Sequence, residues 1–393
     1  MLNFKYSIPT EIFFGKGQIS NLPDELLRYG NSVLLVYGGG SIKRTGLYDT
    51  VVRLLVDAKI TYRELGGVEP NPRIDTVRAG AKLCKENGID TVLAIGGGSS
   101  IDCAKVVAAA ANYDGDAWDL VLHPDKIGKV LPIAAVLTIA ATGSEMDRIA
   151  VISNMTTNEK LATSHDKLRP RFAVMDPEYT YTVPKYQTAS GTADIFSHVL
   201  ESYFVKTPGV YLQRRFCEAL LKTCLHYGPK AMADPKDYEA RANLMWASSL
   251  AINDLITYGT ERRWTVHPIE HVLSAHYDIT HGVGLAVLTP SWMRFVCGFS
   301  ENLPYFAEYG VNVWDLPSAL PQEVLAQQAI EKTEDFFGAL GLPKHLSELE
   351  IPIDLLEPMA EQAAGSGRVG GFHPLSKEDV FSILKMSYEL TPQ

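Results

Sequence analysis

Hydrophobic residues in the first half of the chain come in short unbroken runs that stop at glycines. Ser32–Tyr37 (SVLLVY) ends at Gly38-Gly39-Gly40, and a helical pattern follows over Leu47–Ala58. Thr91–Ile95 (TVLAI) ends at Gly96-Gly97-Gly98-Ser99, and an Ala-rich helical segment, Ser100–Ala111, comes next. Pro132–Ile139 and Phe172–Met175 have the same strand-like character. Apolar runs that end in glycine turns and lead into helices predict parallel βαβ units. The pattern changes at Thr182-Val183-Pro184. Beyond it a helical period dominates, over Tyr186–Phe204, Val210–His226, Tyr238–Leu255, Pro268–His276 and Glu323–Leu340. Pro184 marks a boundary, because the residue before a proline disfavours helix. The expected organisation is an α/β domain over residues 1–184 and an all-α domain over residues 185–393.

Composition narrows the function classes. The 393 residues are 46% hydrophobic and 21% charged, enough apolar content to offset the entropy of ordering a core. The net charge of -10 argues against non-specific nucleic-acid binding, which needs clustered cations to neutralise phosphates. No run reaches the ~18 apolar residues of a membrane span, and Met1–Tyr6 lacks the pattern of a signal peptide. The five cysteines, Cys84, Cys103, Cys217, Cys224 and Cys297, are scattered without a CxxC pair. Neither a disulfide framework nor a thiolate zinc site is expected, and the reducing cytoplasm is the expected compartment.

The two glycine turns suit an anion. Glycine lets the backbone approach a phosphate, and a following helix N-terminus offers unpaired N–H groups and a positive dipole end. The candidates are Gly38, Gly39, Gly40 and Ser41 in the first turn and Gly97, Gly98 and Ser99 in the second. Neither turn is a GxGxxG, so each is equally readable as a tight strand-to-helix connection with no ligand. Asp102, one helical turn further on, can serve a ribose or amide, or simply complement the helix dipole. The first turn lacks the acid that holds ribose hydroxyls in NAD sites. It carries Ser41, Lys43 and Arg44 instead, a set that favours a 2′-phosphate and hence NADP(H) over NAD(H).

Histidines in the second half form a denser pattern. Asp194 and His198 are spaced i,i+4, as are His267 and His271, and His281 follows in Thr280-His281-Gly282. Residues four apart share one helix face, and a carboxylate with imidazoles is a borderline-soft set for a divalent first-row metal. Each pair taken alone also reads as an ordinary helical contact. Spacing leaves open whether His267 or His271 is the ligand. A metal-dependent lyase or hydrolase whose glycine turns hold only a phosphate, and a non-catalytic nucleotide-binding protein with a structural metal, remain alternatives at this level.

Taken together, these motifs resemble the iron-containing (group III) alcohol dehydrogenases, in their butanol dehydrogenase and broad-range aldehyde reductase branch. The resemblance spans nearly the whole chain. It rests on Pro9–Gly15, Tyr37–Lys43 (YGGGSIK), Glu69-Pro70-Asn71-Pro72, Gly96–Asp102 (GGGSSID), Ala141–Glu145 (ATGSE), Asp176-Pro177, the Asp194–His198–Glu201 motif, and His267 to Gly282. It implies a Rossmann-like domain followed by a helical domain, the dehydroquinate synthase-like fold, with cofactor and metal in the cleft between them. It implies metal ligands at Asp194, His198, His267 and His281, with His271 beside the metal as a proton relay. Asn71, Ser99, Asp102, Thr138, Thr142 and Lys160 would line the cofactor, and Gly97 and Gly98 would face its pyrophosphate. The metal would be iron or zinc, with cobalt, nickel or manganese also compatible. The implied activity is NAD(P)H-linked interconversion of short- to medium-chain alcohols and aldehydes by a cytoplasmic homodimer. A glycerol- or polyol-type dehydrogenase of the same fold is the nearest rival.

Overall fold

The computed structural model describes residues 1–365 and 367–388. Among the described residues eight strands are formed: β1 (Glu11–Phe14), β2 (Ser32–Tyr37), β3 (Thr61–Leu65), β4 (Thr91–Gly96), β5 (Ile133–Leu137), β6 (Ile149–Asn154), β7 (Glu159–Ser164) and β8 (Phe172–Met175). Six make one sheet in the order β1-β8-β5-β4-β2-β3, with every pairing parallel. β6 and β7 form a separate antiparallel hairpin.

The apolar runs become central strands because both faces of a parallel sheet are covered. Leu34 and Val36 of β2, with Val92 and Ala94 of β4, pack on one side against Ile101 and Ala104 of the Gly98–Ala110 helix. Val33 and Leu35, with Leu93 and Ile95, pack on the other side against Val51 and Leu55 of the Leu47–Asp57 helix. From β2 the chain steps outward to β3, then returns to β4 on the opposite side of β2. The winding therefore reverses between β2 and β4. At such a switch point the loops diverge and leave a crevice at the carboxyl ends of the strands. Both glycine turns sit there.

Two compact units result. Ser7–Val183 and Asp234–Asn253 form the sheet unit; Met1–Tyr6, Pro184–Ala233 and the chain from Asp254 onward form the helical unit. This differs from a continuous division at 184/185 in two segments. The Tyr238–Ile252 helix belongs with the sheet unit, where Ser249 Oγ donates to Glu145 and Trp246 packs against Phe14 with ring centroids 5.9 Å apart. A helical period shows which face a helix buries, but not which neighbour covers it.

The helical unit is built around the Lys185–Tyr203 helix, in which every residue from Thr188 onward is buried. It packs closely against the His281–Cys297 helix. A Cβ at Gly282 would lie 2.1 Å from the backbone oxygen of Ser190, so glycine is what permits this approach. Among the described residues no single helix is long and apolar enough to cross a membrane.

Candidate active site

The helical unit brings Asp194, His198, His267 and His281 together, with one ligand atom from each lying within 4.8 Å of the others. The first two come from the Lys185–Tyr203 helix, His267 from the Val266–Tyr277 helix, and His281 from the first turn of the His281–Cys297 helix. Asp194 Oδ1 is buried without a hydrogen-bond partner. It lies 3.7 Å from His198 Nε2 and 3.8 Å from His281 Nε2. These separations are too long for hydrogen bonds. They approach the roughly 3.4 Å between two ligands that each sit about 2.1 Å from one tetrahedral ion. An orphaned buried carboxylate oxygen among imidazole nitrogens fits a divalent cation on chemistry as well as spacing.

Electrostatics supports the same fit. Burial pushes the His198 imidazole down to about 3, so it stays neutral and keeps its lone pairs. Two further carboxylates lie behind the histidines. Glu201 Oε1 is 2.5 Å from His267 Nδ1, and Glu201 also accepts from the backbone N–H of Thr265 and of His267. Burial pushes the Glu201 carboxyl up to about 7, against those backbone donors. Glu270, fully buried, accepts from His281 Nδ1. With Nδ1 engaged in each case, Nε2 is the nitrogen left to ligate. Glu201 was visible in the sequence as part of the Asp194–His198 motif, three residues after His198 on the same face. Glu270 and Trp264 carried no such signal. The Trp264 ring lies 4.4 Å from His267 and 5.5 Å from His198, between centroids, and Arg262 stacks on it at 3.7 Å.

His271 sits next to this cluster, its ring 5.4 Å from that of His281 and 6.4 Å from that of His267. His276 points elsewhere, pairing with Gln362 at 2.8 Å.

In the sheet unit, the second turn opens the Gly98–Ala110 helix with Gly97 as its extended N-cap. A Cβ at Gly98 would lie 2.3 Å from Thr142 Oγ1, and one at Gly97 2.3 Å from Ile139 Cγ2. The second turn and the Thr138–Thr142 loop are thus packed together by small size, and Thr138 N–H donates to Gly96 at 3.0 Å. Ser99 Oγ donates to the Pro70 carbonyl, joining this helix to the loop that carries Asn71. Both Asp102 oxygens are engaged, one by Ser144 Oγ and the other by Val151 N–H at 2.9 Å. Asp102 therefore ties the helix to the ATGSE turn and to β6. Lys160 lies on β7, opposite Ser153 of β6, and is buried. Asp147 forms a buried ion pair with Lys105. At the first turn, Gly39 and Gly40 have open space where a side chain would be. Lys43 Nζ lies 3.7 Å from Glu64 and stacks over Tyr37 and Tyr48 at 4.9 and 4.5 Å.

The sheet unit carries glycine turns at a switch point, and the helical unit carries three histidines and a carboxylate that could hold a metal ion, the parts expected of a metal-dependent, nucleotide-linked enzyme. Comparison with known proteins places it more narrowly. Residues 9–177 match the family described as iron-containing alcohol dehydrogenase, and residues 188–388 match the C-terminal region of the same family. NADH-dependent butanol dehydrogenase A of Clostridium acetobutylicum is 56% identical over 390 residues, covering 99% of this chain and 100% of that protein. NADPH-dependent aldehyde reductase YqhD of Escherichia coli is 40% identical, covering 88% and 89%. The crystal structure of NADH-dependent butanol dehydrogenase A from Thermotoga maritima superposes with a TM-score of 0.94 at 36% identity, covering 99% of each chain. The chain belongs to the iron-containing alcohol dehydrogenase family, in its butanol dehydrogenase and aldehyde reductase branch, and is an oxidoreductase acting on CH–OH groups.

Proposed function

We propose that this protein is a metal-dependent, NADH-linked reductase of short- to medium-chain aldehydes, which also oxidises the corresponding primary alcohols such as butanol. The observation that carries the reading is the orphaned Asp194 Oδ1, held 3.7 and 3.8 Å from two imidazole nitrogens. Asp194, His198, His267 and His281 would hold the ion, iron or zinc by donor type. When bound, such an ion supplies Lewis acidity to the substrate oxygen, and the nicotinamide supplies or accepts the hydride. The chain's own residues do the rest. Glu201 holds His267 in the tautomer that presents Nε2. Trp264 packs its ring against His198 and His267 and so helps to hold both imidazoles in place. His271 moves the hydroxyl proton between substrate and solvent. Gly38–Ser41 and Gly97–Ser99 cradle the dinucleotide, with Asn71, Thr138, Thr142 and Lys160 along it and Asp102 fixing the shape of the cradle.

The charges at the first glycine turn are what weigh NAD(H) against the expected NADP(H). Of that turn's two cations, Lys43 lies 3.7 Å from Glu64 and over two tyrosine rings, and the negative charge of Glu64 disfavours a 2′-phosphate beside it, which weighs against Arg44 and Ser41. Four buried cysteines without disulfides accord with a cytoplasmic setting. Exposed apolar side chains at Met1, Leu2, Phe4 and Tyr6 accord with a homodimer. The test is paired substitution. His267→Ala should abolish metal retention, whereas His271→Ala should retain the metal and slow turnover. Equal metal loss in both, by elemental analysis, refutes the ligand assignment.

A further inference from the structure

Two of the three candidate metal histidines have a carboxylate behind them, and the two carboxylates are held differently. Glu201 is fixed mainly by backbone N–H groups. Glu270 is fixed by side chains. It lies on the Val266–Tyr277 helix, where Ser274, one turn on, donates from Oγ to Oε1 while Oε2 takes the His281 Nδ1–H. The chain between them turns through Asp278, which adopts the left-handed conformation at φ 50°, and brings His281 back against the helix that carries Glu270.

A separate feature of the sequence is built around this contact. Gly284 lies inside the His281–Cys297 helix, where glycine costs roughly 1 kcal/mol relative to alanine. A Cβ there would lie 2.7 Å from Glu270 Cγ and 3.0 Å from Oε1. The missing side chain is the space that Glu270 occupies. Placing a fully buried carboxylate is expensive unless it has a charge to serve. Two of the groups that meet it are the Ser274 hydroxyl and the His281 imidazole, and a metal on that imidazole would supply a positive charge close to the carboxylate.

We propose that Glu270 is a positioning residue for the metal: through His281 Nδ1–H it fixes the ligand's tautomer and raises its donor strength, and Ser274 and Gly284 exist to seat it. The proposal rests on the metal reading above. Glu270 is not a ligand itself, since both its oxygens are turned to Ser274 and His281. Burial disfavours the charge of this carboxylate, and a cation on His281 would favour it.

That opposition gives the test. Glu270→Gln keeps an acceptor for His281 and removes the charge. Zn2+ affinity, measured on the full chain by chelator competition, should fall by about 10–100-fold. The Tm of the apo protein should be unchanged or higher, and the visible band of the Co2+-loaded protein should shift. Gly284→Ala, which displaces Glu270 without altering its chemistry, should also weaken Zn2+ binding. A lowered apo Tm with unchanged Zn2+ affinity and Co2+ spectrum would show a merely structural contact and overturn the proposal. Two Zn2+ per wild-type chain, reduced to one by Glu270→Gln, would make Glu270 a ligand and also overturn it. If the wild type binds no Zn2+, or Asp194→Ala binds it as well as the wild type, the metal reading itself fails and the proposal falls with it.

Discussion

Replacing Gly282 with alanine should take the metal from the protein without touching a ligand. The added Cβ would sit 2.1 Å from the backbone oxygen of Ser190 and 2.8 Å from its carbonyl carbon and Oγ. Carbon–oxygen contacts settle near 3.3 Å, so the two helices must part by about 1.2 Å. The Ser190 carbonyl cannot rotate away, because it is part of the helix that carries Asp194 one turn on. His281 is the neighbour of Gly282 and moves with it. Metal–nitrogen bonds tolerate only about 0.2 Å of change, so a displacement of this size removes His281 from the ligand set. Overpacking costs about 1–3 kcal/mol, and each kcal/mol lowers Tm by roughly 2–4 °C for a domain of this size. Gly128→Ala is the control, since its Cβ would meet nothing within 4 Å. The assays are metal per chain by elemental analysis and the Tm of the apo protein. Gly282→Ala with a full complement of metal and an unchanged Tm would show that the close approach of these helices does not set the site.

Other consequences are checked more simply. Glu64→Gln should free Lys43 and remove a negative charge, tightening NADPH binding by about 5–10-fold, the ~1 kcal/mol of one exposed charge interaction, while NADH binding, followed by nicotinamide fluorescence, stays the same. Although burial works against it, the Glu64 carboxyl is held below its ordinary value by hydrogen bonds from Tyr37 and Tyr48, so the charge is present throughout the assay range. Glu145 is fully buried, its Oε2 has no hydrogen-bond partner, and burial pushes its carboxyl up. The folded state therefore holds that proton where the unfolded state has lost it, and stability falls as pH rises from the ordinary carboxylate range through the folded value. Glu145→Gln should raise Tm at pH 8 more than at pH 5. An equal shift at both pH values would contradict the assignment.

The sequence made the scaffold more legible than its assembly. Runs buried on both faces announce themselves, so β2, β4, β5 and β8 were expected within one or two residues of where they lie. β1, β3, β6 and β7 were not: β1 and β3 are the edge strands of the sheet, β6 and β7 form a short hairpin outside it, and Glu159–Ser164 has only Lys160 and Thr163 buried, without a strong apolar run. The Tyr238–Ile252 helix was legible as a helix, yet its partner was not, because Glu145 and Trp246 meet their neighbours across about a hundred or more residues of chain. The site divides the same way. Asp194 and His198 advertise a shared helix face by spacing alone. Choosing His267 over His271 needed the family motif, since both occupy one helix four residues apart. Glu270 was beyond spacing, because its contact with His281 depends on the left-handed turn at Asp278. Lys43 shows what spacing leaves out: its sequence context presents a cation, and only the fold brings Glu64 on the adjacent strand β3 alongside it.

The proposed chemistry needs both a divalent ion and a nicotinamide cofactor. The most direct measurement is NADH oxidation by the purified chain with butanal, before and after chelation and after restoring iron(II) or zinc. The expected result is turnover that chelation abolishes and metal restores, and that Asp194→Ala never regains. Metal-loaded protein that oxidises neither NADH nor NADPH with any aldehyde, or activity that survives complete metal removal, would contradict it.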